Sequence, residues 1–159
     1  MTQQTPSGWQ MPPEAPGPAP GIQYAPHGDR LIAYIIDAII VTVVTMVVLV
    51  IAGFAWAVIG NGAGVTVFVL GLLAVVVVSL AYFPWFWARG GQTPGMRPFG
   101  LRVVRDSDGG AVGGGQAIVR LIGLWVSAIA LYIGYIWIFI DERRRGWHDL
   151  IAGTVVIKR

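Results

Sequence analysis

Two ionisable side chains stand where apolar ones belong. Asp37 is the one charged residue in the run Leu31–Trp56, and Arg120 interrupts a second run over 117–140. Arg30 opens the first run, seven residues before Asp37. On a helix that spacing puts the two on one face, with Asp37 about 10 Å farther along. A carboxylate at such depth must pair with a cation or face water. The first case is an ion pair that fixes helix packing, and the second is an ion or proton site. Arg30 and Arg120 are the candidate partners. His148-Asp149 has the composition of an acid–base pair, but no serine or cysteine nucleophile motif accompanies it, and a surface turn is expected there. GGGQ at 113–116 lacks the Lys-Ser/Thr of a phosphate loop and reads as a hinge. The chain has no cysteine and two histidines. Thiol catalysis, Cys-zinc and iron–sulfur sites are thereby excluded. No enzyme activity, cofactor or metal is expected.

The elements that must position these groups are membrane helices. Of 159 residues, 55% are apolar and 12% charged, against about 25% charged in ordinary soluble domains. Residues 31–56 and 65–87 each exceed the roughly 20 apolar residues that span a bilayer as a helix. Their Val and Ile content favours strands in water. In lipid a span must satisfy its own backbone hydrogen bonds, which selects the helix. Tyr82, Trp85 and Trp87 crowd the end of the second span, as in an interfacial aromatic belt. Gly53, Gly60 and Gly71 offer close helix contacts. Residues 1–28 hold seven of the ten prolines and read as a disordered tail. Residues 29–159 form the membrane domain.

GLRVVR and GTVVIKR read as short strands that pair with each other, because a lone strand leaves its backbone unpaired. All 11 basic residues lie outside the short loop between the spans. The positive-inside rule therefore places the N-terminus and residues 88–116 in the cytoplasm. If 117–140 crossed once, five basic residues would lie outside and the strands could not meet. The alternative is a re-entrant segment bent near Gly134, each arm of about 11 residues rising about 16 Å. A straight span remains the simpler reading of the composition, but a cytoplasmic C-terminus is expected. Arg143, Arg144 and Arg145 are expected to anchor to anionic lipid headgroups. The fold class is an all-α membrane protein with two transmembrane helices, a third embedded segment, re-entrant or spanning, and a small cytoplasmic β element.

Arg30 and Asp37, then GGQTPGMRPFGLRVV, then RRRGWHDLIAGTVVI together resemble the RDD family of bacterial membrane proteins over about Gly28 to Lys158. The family is named for one arginine and two aspartates, which fall here on Arg30, Asp37 and Asp149. The position after TPG, often basic in the family, is Met96. The resemblance implies an inner-membrane protein, with transport of an unidentified ligand or ion as the suggested role. If the three named residues act together, they must meet at the cytoplasmic interface, with Arg120 beside them. A charged network of Arg30, Asp37, Arg120 and Asp149 is therefore expected.

Three function classes follow. A transporter or ion-coupled carrier would have to oligomerise, since two or three helices enclose no pathway. An accessory or scaffold subunit of a membrane complex would dock through its tail and basic face. An enzyme has no supporting motif. The expected surroundings are the lipid bilayer and either further copies of the chain or a membrane complex, without nucleic acid. A wet Asp37 suits transport and a dry one suits packing.

Overall fold

The computed structural model describes residues 17–159. Two helices are long and apolar enough to cross a membrane, α1 (His27–Ile59) and α2 (Gly62–Gly90). Gly60 closes α1 with φ 75°, and the Asn61 side chain accepts from Ala63 N–H at 3.0 Å to open α2. The GNG sequence thus supplies both a left-handed stop and an N-cap, and the helices form a hairpin. Little of either span is buried within the chain. Val50, Phe54, Val58, Leu70, Leu73 and Val77 all project from the hairpin. Such faces are stable only against lipid or another apolar surface.

Of the three glycines expected at helix contacts, one makes one. A Cβ on Gly71 would stand 2.6 Å from that of Ala52, whereas Gly53 faces open space and Gly60 is the turn. Gly71→Ala is therefore expected to loosen the hairpin by about 1–3 kcal/mol. Gly53→Ala is expected to leave it intact. Thermal melting of the two variants in detergent checks the contrast.

At the open end of the hairpin the chain builds a base. Gly91 ends α2 with φ 67°, and its carbonyl accepts from Val103 N–H at 2.7 Å. Strand β2 (Leu101–Arg105) pairs antiparallel with β3 (Thr154–Lys158), Val103 opposite Val156 and Val104 opposite Val155. The expected strand pairing is present. A further strand, β1 (Gln23–Tyr24), pairs with the other edge of β3, giving the order β1-β3-β2. Alternation sorts the sheet faces. Leu101, Val103 and Val156 face a core shared with Ala33, Trp87, Ala117 and Leu124. Val104, Val155 and Ile157 face the other way and are covered by Ile22 and Tyr24. The tail expected over 1–28 is thus corrected at its end. Residues 23–24 are a strand and 27–28 already belong to α1, because β3 offers a free edge and Ala25 N–H reaches Val156 O at 2.9 Å. Its first part, 1–16, lies outside the described residues.

The third apolar segment is bent. Helix α3 (Gly114–Ile129) and α4 (Ile133–Ile136), which runs on as a 3-10 turn to Phe139, meet at 112°. The bend falls at Leu131 and Tyr132, both with positive φ, near Gly134 as expected. Gly134 itself lets α4 press on Ser127, since a Cβ there would lie 2.3 Å from Ser127 Oγ. A short helix, α5 (Trp147–Ala152), then leads back into β3. Residues 114–153 so leave the sheet and return to it.

The aromatic belt needs correction as well. Trp85 is exposed with Arg89 stacked over its ring at 3.6 Å, a fit for an interface. Trp87 is buried in the core, and Tyr82 reaches inward to Asp37.

Candidate functional site

Two buried charge centres occupy the base of the hairpin. Asp149 carries the first. As the third residue of α5 it accepts from the N-cap, Gly146 N–H, at 3.0 Å. Its Oδ2 pairs with Arg30 Nη2 at 2.7 Å and its Oδ1 with Arg120 Nη1. Arg120 Nη1 also donates to Thr154 Oγ1 at 2.6 Å. Arg30 Nη1 donates to Arg144 O at 2.5 Å. The Arg120 guanidinium lies over the Trp87 ring at 4.8 Å. Arg30, Arg120 and Asp149 are all at most 3% exposed. One carboxylate therefore ties α1, α3 and α5 together through charge-assisted bonds.

Asp37 carries the second. It accepts from Tyr82 OH at 2.8 Å, Thr93 Oγ1 at 2.5 Å and Gly95 N–H at 2.8 Å. The expected ion pairs to Arg30 and Arg120 are absent among the described residues. The reason is the TPG turn, which lies directly on α1 and brings its own donors. A Cβ on Gly95 would stand 2.3 Å from Ala33 O and 2.8 Å from Asp37 Cγ, so only glycine fits. Sequence reasoning missed Tyr82, Thr93 and Gly95 as partners, and the TPG motif was the available signal. Between the centres is a narrow gap lined by Arg30, Tyr34, Asp37, Trp87, Thr93 and Met96, with no room for a water molecule. Met96 closes it with a thioether. Asp37 is 1% exposed and dry.

The expected network thus divides. Arg30, Arg120 and Asp149 meet, and Asp37 joins a different set of donors. The formal charges of the four sum to zero.

Arg143–Arg145, expected to anchor to lipid headgroups, are also engaged inside the chain. Arg143 and Arg145 pair with Asp106 at 3.0 and 2.8 Å, and Arg145 with Asp141 at 3.0 Å. Arg144 Nη1 donates to Tyr24 O at 3.1 Å. Hydrogen bonding from Arg145 holds the Asp141 carboxyl below its ordinary range, although burial opposes it. Asp106 of the DSDGG turn holds Arg143 and Arg145 because it sits on the same face of the base.

His148 is fully buried beside Asp149, its Nε2 3.4 Å from Oδ2 and 3.5 Å from Arg30 Nη2. Burial pushes His148 down from 6.5 to about 3; Asp149 opposes the shift, and the charges of Arg120 and Arg30 reinforce it. Burial alone would raise Asp149, but Arg120 and Arg30 hold it well below the usual carboxylate range. A pH dependence follows. Below pH 6.5 the unfolded chain binds a proton that native His148 refuses until about pH 3. Stability therefore falls with pH across that window, by up to about 1.4 kcal/mol per unit. Asp149, with its depressed value, adds a loss only below about pH 4. His148→Gln is expected to melt lower at pH 8 and to flatten the slope between pH 6.5 and 4. Melting curves across that range check it.

Comparison with known proteins agrees with the motifs. The chain is 32% identical over 142 residues to the uncharacterized protein YxaI of Bacillus subtilis (strain 168), covering 80% of this chain and 93% of YxaI. No solved structure matches the chain. The profile of the RDD family matches residues 24–153. With Arg30, Asp37 and Asp149 all inside that match and all buried at the base of one hairpin, the chain belongs to the RDD family.

Proposed function

We propose that the chain is a multi-pass protein of the bacterial inner membrane that serves as an accessory or scaffold subunit of a larger membrane assembly. One observation carries this reading. Asp37, the acid in the first span, is dry and accepts from three protein donors. A coupling acid must exchange its ion or proton with water, and this one is committed to fixing the TPG turn on α1. The spans themselves carry no other charge that would line a path. Their exposed faces need lipid or neighbouring helices, which suits a subunit. The clustering of all basic residues away from the loop at 60–61 supports cytoplasmic N- and C-termini. Pairing of β2 with β3 supports the same side for both ends of residues 114–153.

Two measurements test the reading. A reporter active only outside the membrane should be silent when fused at residue 159 and active when inserted at Asn61. The chain reconstituted alone into vesicles should show no proton or alkali-cation flux above empty vesicles. A flux that disappears in Asp37→Asn would establish the oligomeric carrier instead.

A further inference from the structure

The surplus positive charge of the chain collects at the end of α2. Elsewhere the cations have acids beside them. Asp149 is paired with Arg30 and Arg120, Asp29 with Lys158, Asp108 with Arg105, Asp106 with Arg143 and Arg145, and Asp141 with Arg145. The side chains of Arg89, Arg97, Arg102 and Arg159 have no carboxylate or carbonyl partner among the described residues. Arg89, Arg102 and Arg159 line one pocket of about 320 Å³, between the last turn of α2, strand β2 and the turn at Gly109 and Gly110. No acid is among the described residues that line it.

Local structure gathers these cations. Gly91 has no side chain, so the stem of Arg102 lies across it; a Cβ there would stand 2.9 Å from Arg102 Cγ. Arg102 is opposite Ile157, and the ladder runs on to Arg159 N–H, which donates to Gly100 O. Arg159 is therefore the diagonal neighbour of Arg102, about 7–8 Å away along the backbone. Both side chains are exposed. Like charges so placed repel unless an anion lies between them. The C-terminal end of α2 carries only about half a negative elementary charge. Arg89, in the last turn, already offsets it, and two guanidiniums remain.

The pocket stands at headgroup depth. Arg89 lies over the exposed ring of Trp85, one helical turn before it, at 3.6 Å. An exposed Trp at the end of a span marks the boundary between hydrocarbon and headgroups. One further turn advances about 5.4 Å, into the layer of lipid phosphates.

We infer that this pocket binds the phosphate of an anionic phospholipid. Arg102 and Arg159 donate to its oxygens, Arg89 lies on the membrane side, and the acyl chains run along α2 past Trp85. The fork of N–H donors on a guanidinium matches two phosphate oxygens. A lipid is favoured over a soluble phosphate or an acidic protein segment because one wall of the pocket is the last turn of a span. The site uses neither Asp37 nor the Asp149 triad, so its test is separate from that of the accessory-subunit reading.

The experiment uses the full chain, delipidated in a neutral detergent. The probes are phosphatidylglycerol, phosphatidylcholine with the same acyl chains, inorganic phosphate and a poly-glutamate peptide. Native mass spectrometry reads the lipid bound, and melting temperature reads the stabilisation. Phosphatidylglycerol should bind more tightly than phosphatidylcholine by roughly tenfold or more. Neither soluble probe at equal concentration should displace it. Arg102→Gln and Arg159→Gln should each weaken phosphatidylglycerol binding by about fivefold, the share of one arginine at an anionic surface, and leave phosphatidylcholine unchanged. Without lipid both variants should melt with the parent, because neither side chain has a partner to lose. Arg143→Gln removes an equal charge outside the pocket, where Arg143 pairs with Asp106. It should change phosphatidylglycerol affinity by less than about twofold. Equal affinity for the two lipids, displacement by either soluble probe, unchanged binding in Arg102→Gln and Arg159→Gln, or an equal loss in Arg143→Gln would each overturn the assignment.

Discussion

Asp149→Asn is expected to unfold the base of the hairpin, with a loss of about 3–5 kcal/mol. The change keeps the shape of the side chain and removes its charge. Two guanidiniums, Arg30 and Arg120, are then buried without the carboxylate that now pairs with both. Neither can reach water, because they are 3% and 0% exposed. The loss approaches the whole stability of a typical domain. Asp108→Asn is the matched control, since Asp108 pairs with Arg105 on an exposed turn and such pairs contribute little. The double variant Asp149→Asn/Arg120→Met should be less damaged than the sum of the single changes, because it removes one of the stranded cations. Melting temperature and monodispersity in detergent read the parent, the three single variants and the double variant. An Asp149→Asn protein that melts with the parent would show that the triad does not hold the fold together.

The sequence made the outline legible through its strongest signals. Two long apolar runs require helices whatever their Val and Ile content, and both spans lie inside α1 and α2. Strand pairing was legible because GLRVVR and GTVVIKR needed partners and a single crossing would have separated them. That argument also anticipated the meeting of Arg30, Arg120 and Asp149. What stayed hidden depended on contacts between distant segments. A two-residue strand such as Gln23–Tyr24 has no periodicity of its own and forms only because β3 presents an edge. Arg143 and Arg145 look like free surface cations until Asp106, 37 and 39 residues away, folds beside them. The bend was legible near Gly134, but the two left-handed residues that make it, Leu131 and Tyr132, are neither Gly nor Pro and carry no local mark.

Asp37 was the group whose surroundings were least readable, and its variants carry the second large expected effect. A depth argument pointed to arginine partners, because it considered only charges. The docked turn supplies Thr93 Oγ1 and Gly95 N–H, and α2 supplies Tyr82 OH. Asp37→Ala leaves all three donors facing a dry cavity, each unpaired group costing about 1–3 kcal/mol. That variant should fail to fold or should melt far below the parent. Asp37→Asn is milder. Its carbonyl oxygen still accepts from Gly95 N–H, and either hydroxyl can rotate to accept from the new amide. A loss of roughly 1–3 kcal/mol is expected. The two variants should therefore differ clearly, which a simple ion-pair account does not require, since both remove the charge. The partner assignment makes a second demand. Asp37→Asn and Arg120→Gln act on separate hydrogen-bond sets, so their effects on melting should add within about 0.5 kcal/mol. Asp37→Asn and Thr93→Val share a bond, and their double variant should lose less than the sum. If the arginine pair couples and the threonine pair adds, Asp37 belongs to the Arg120 network after all.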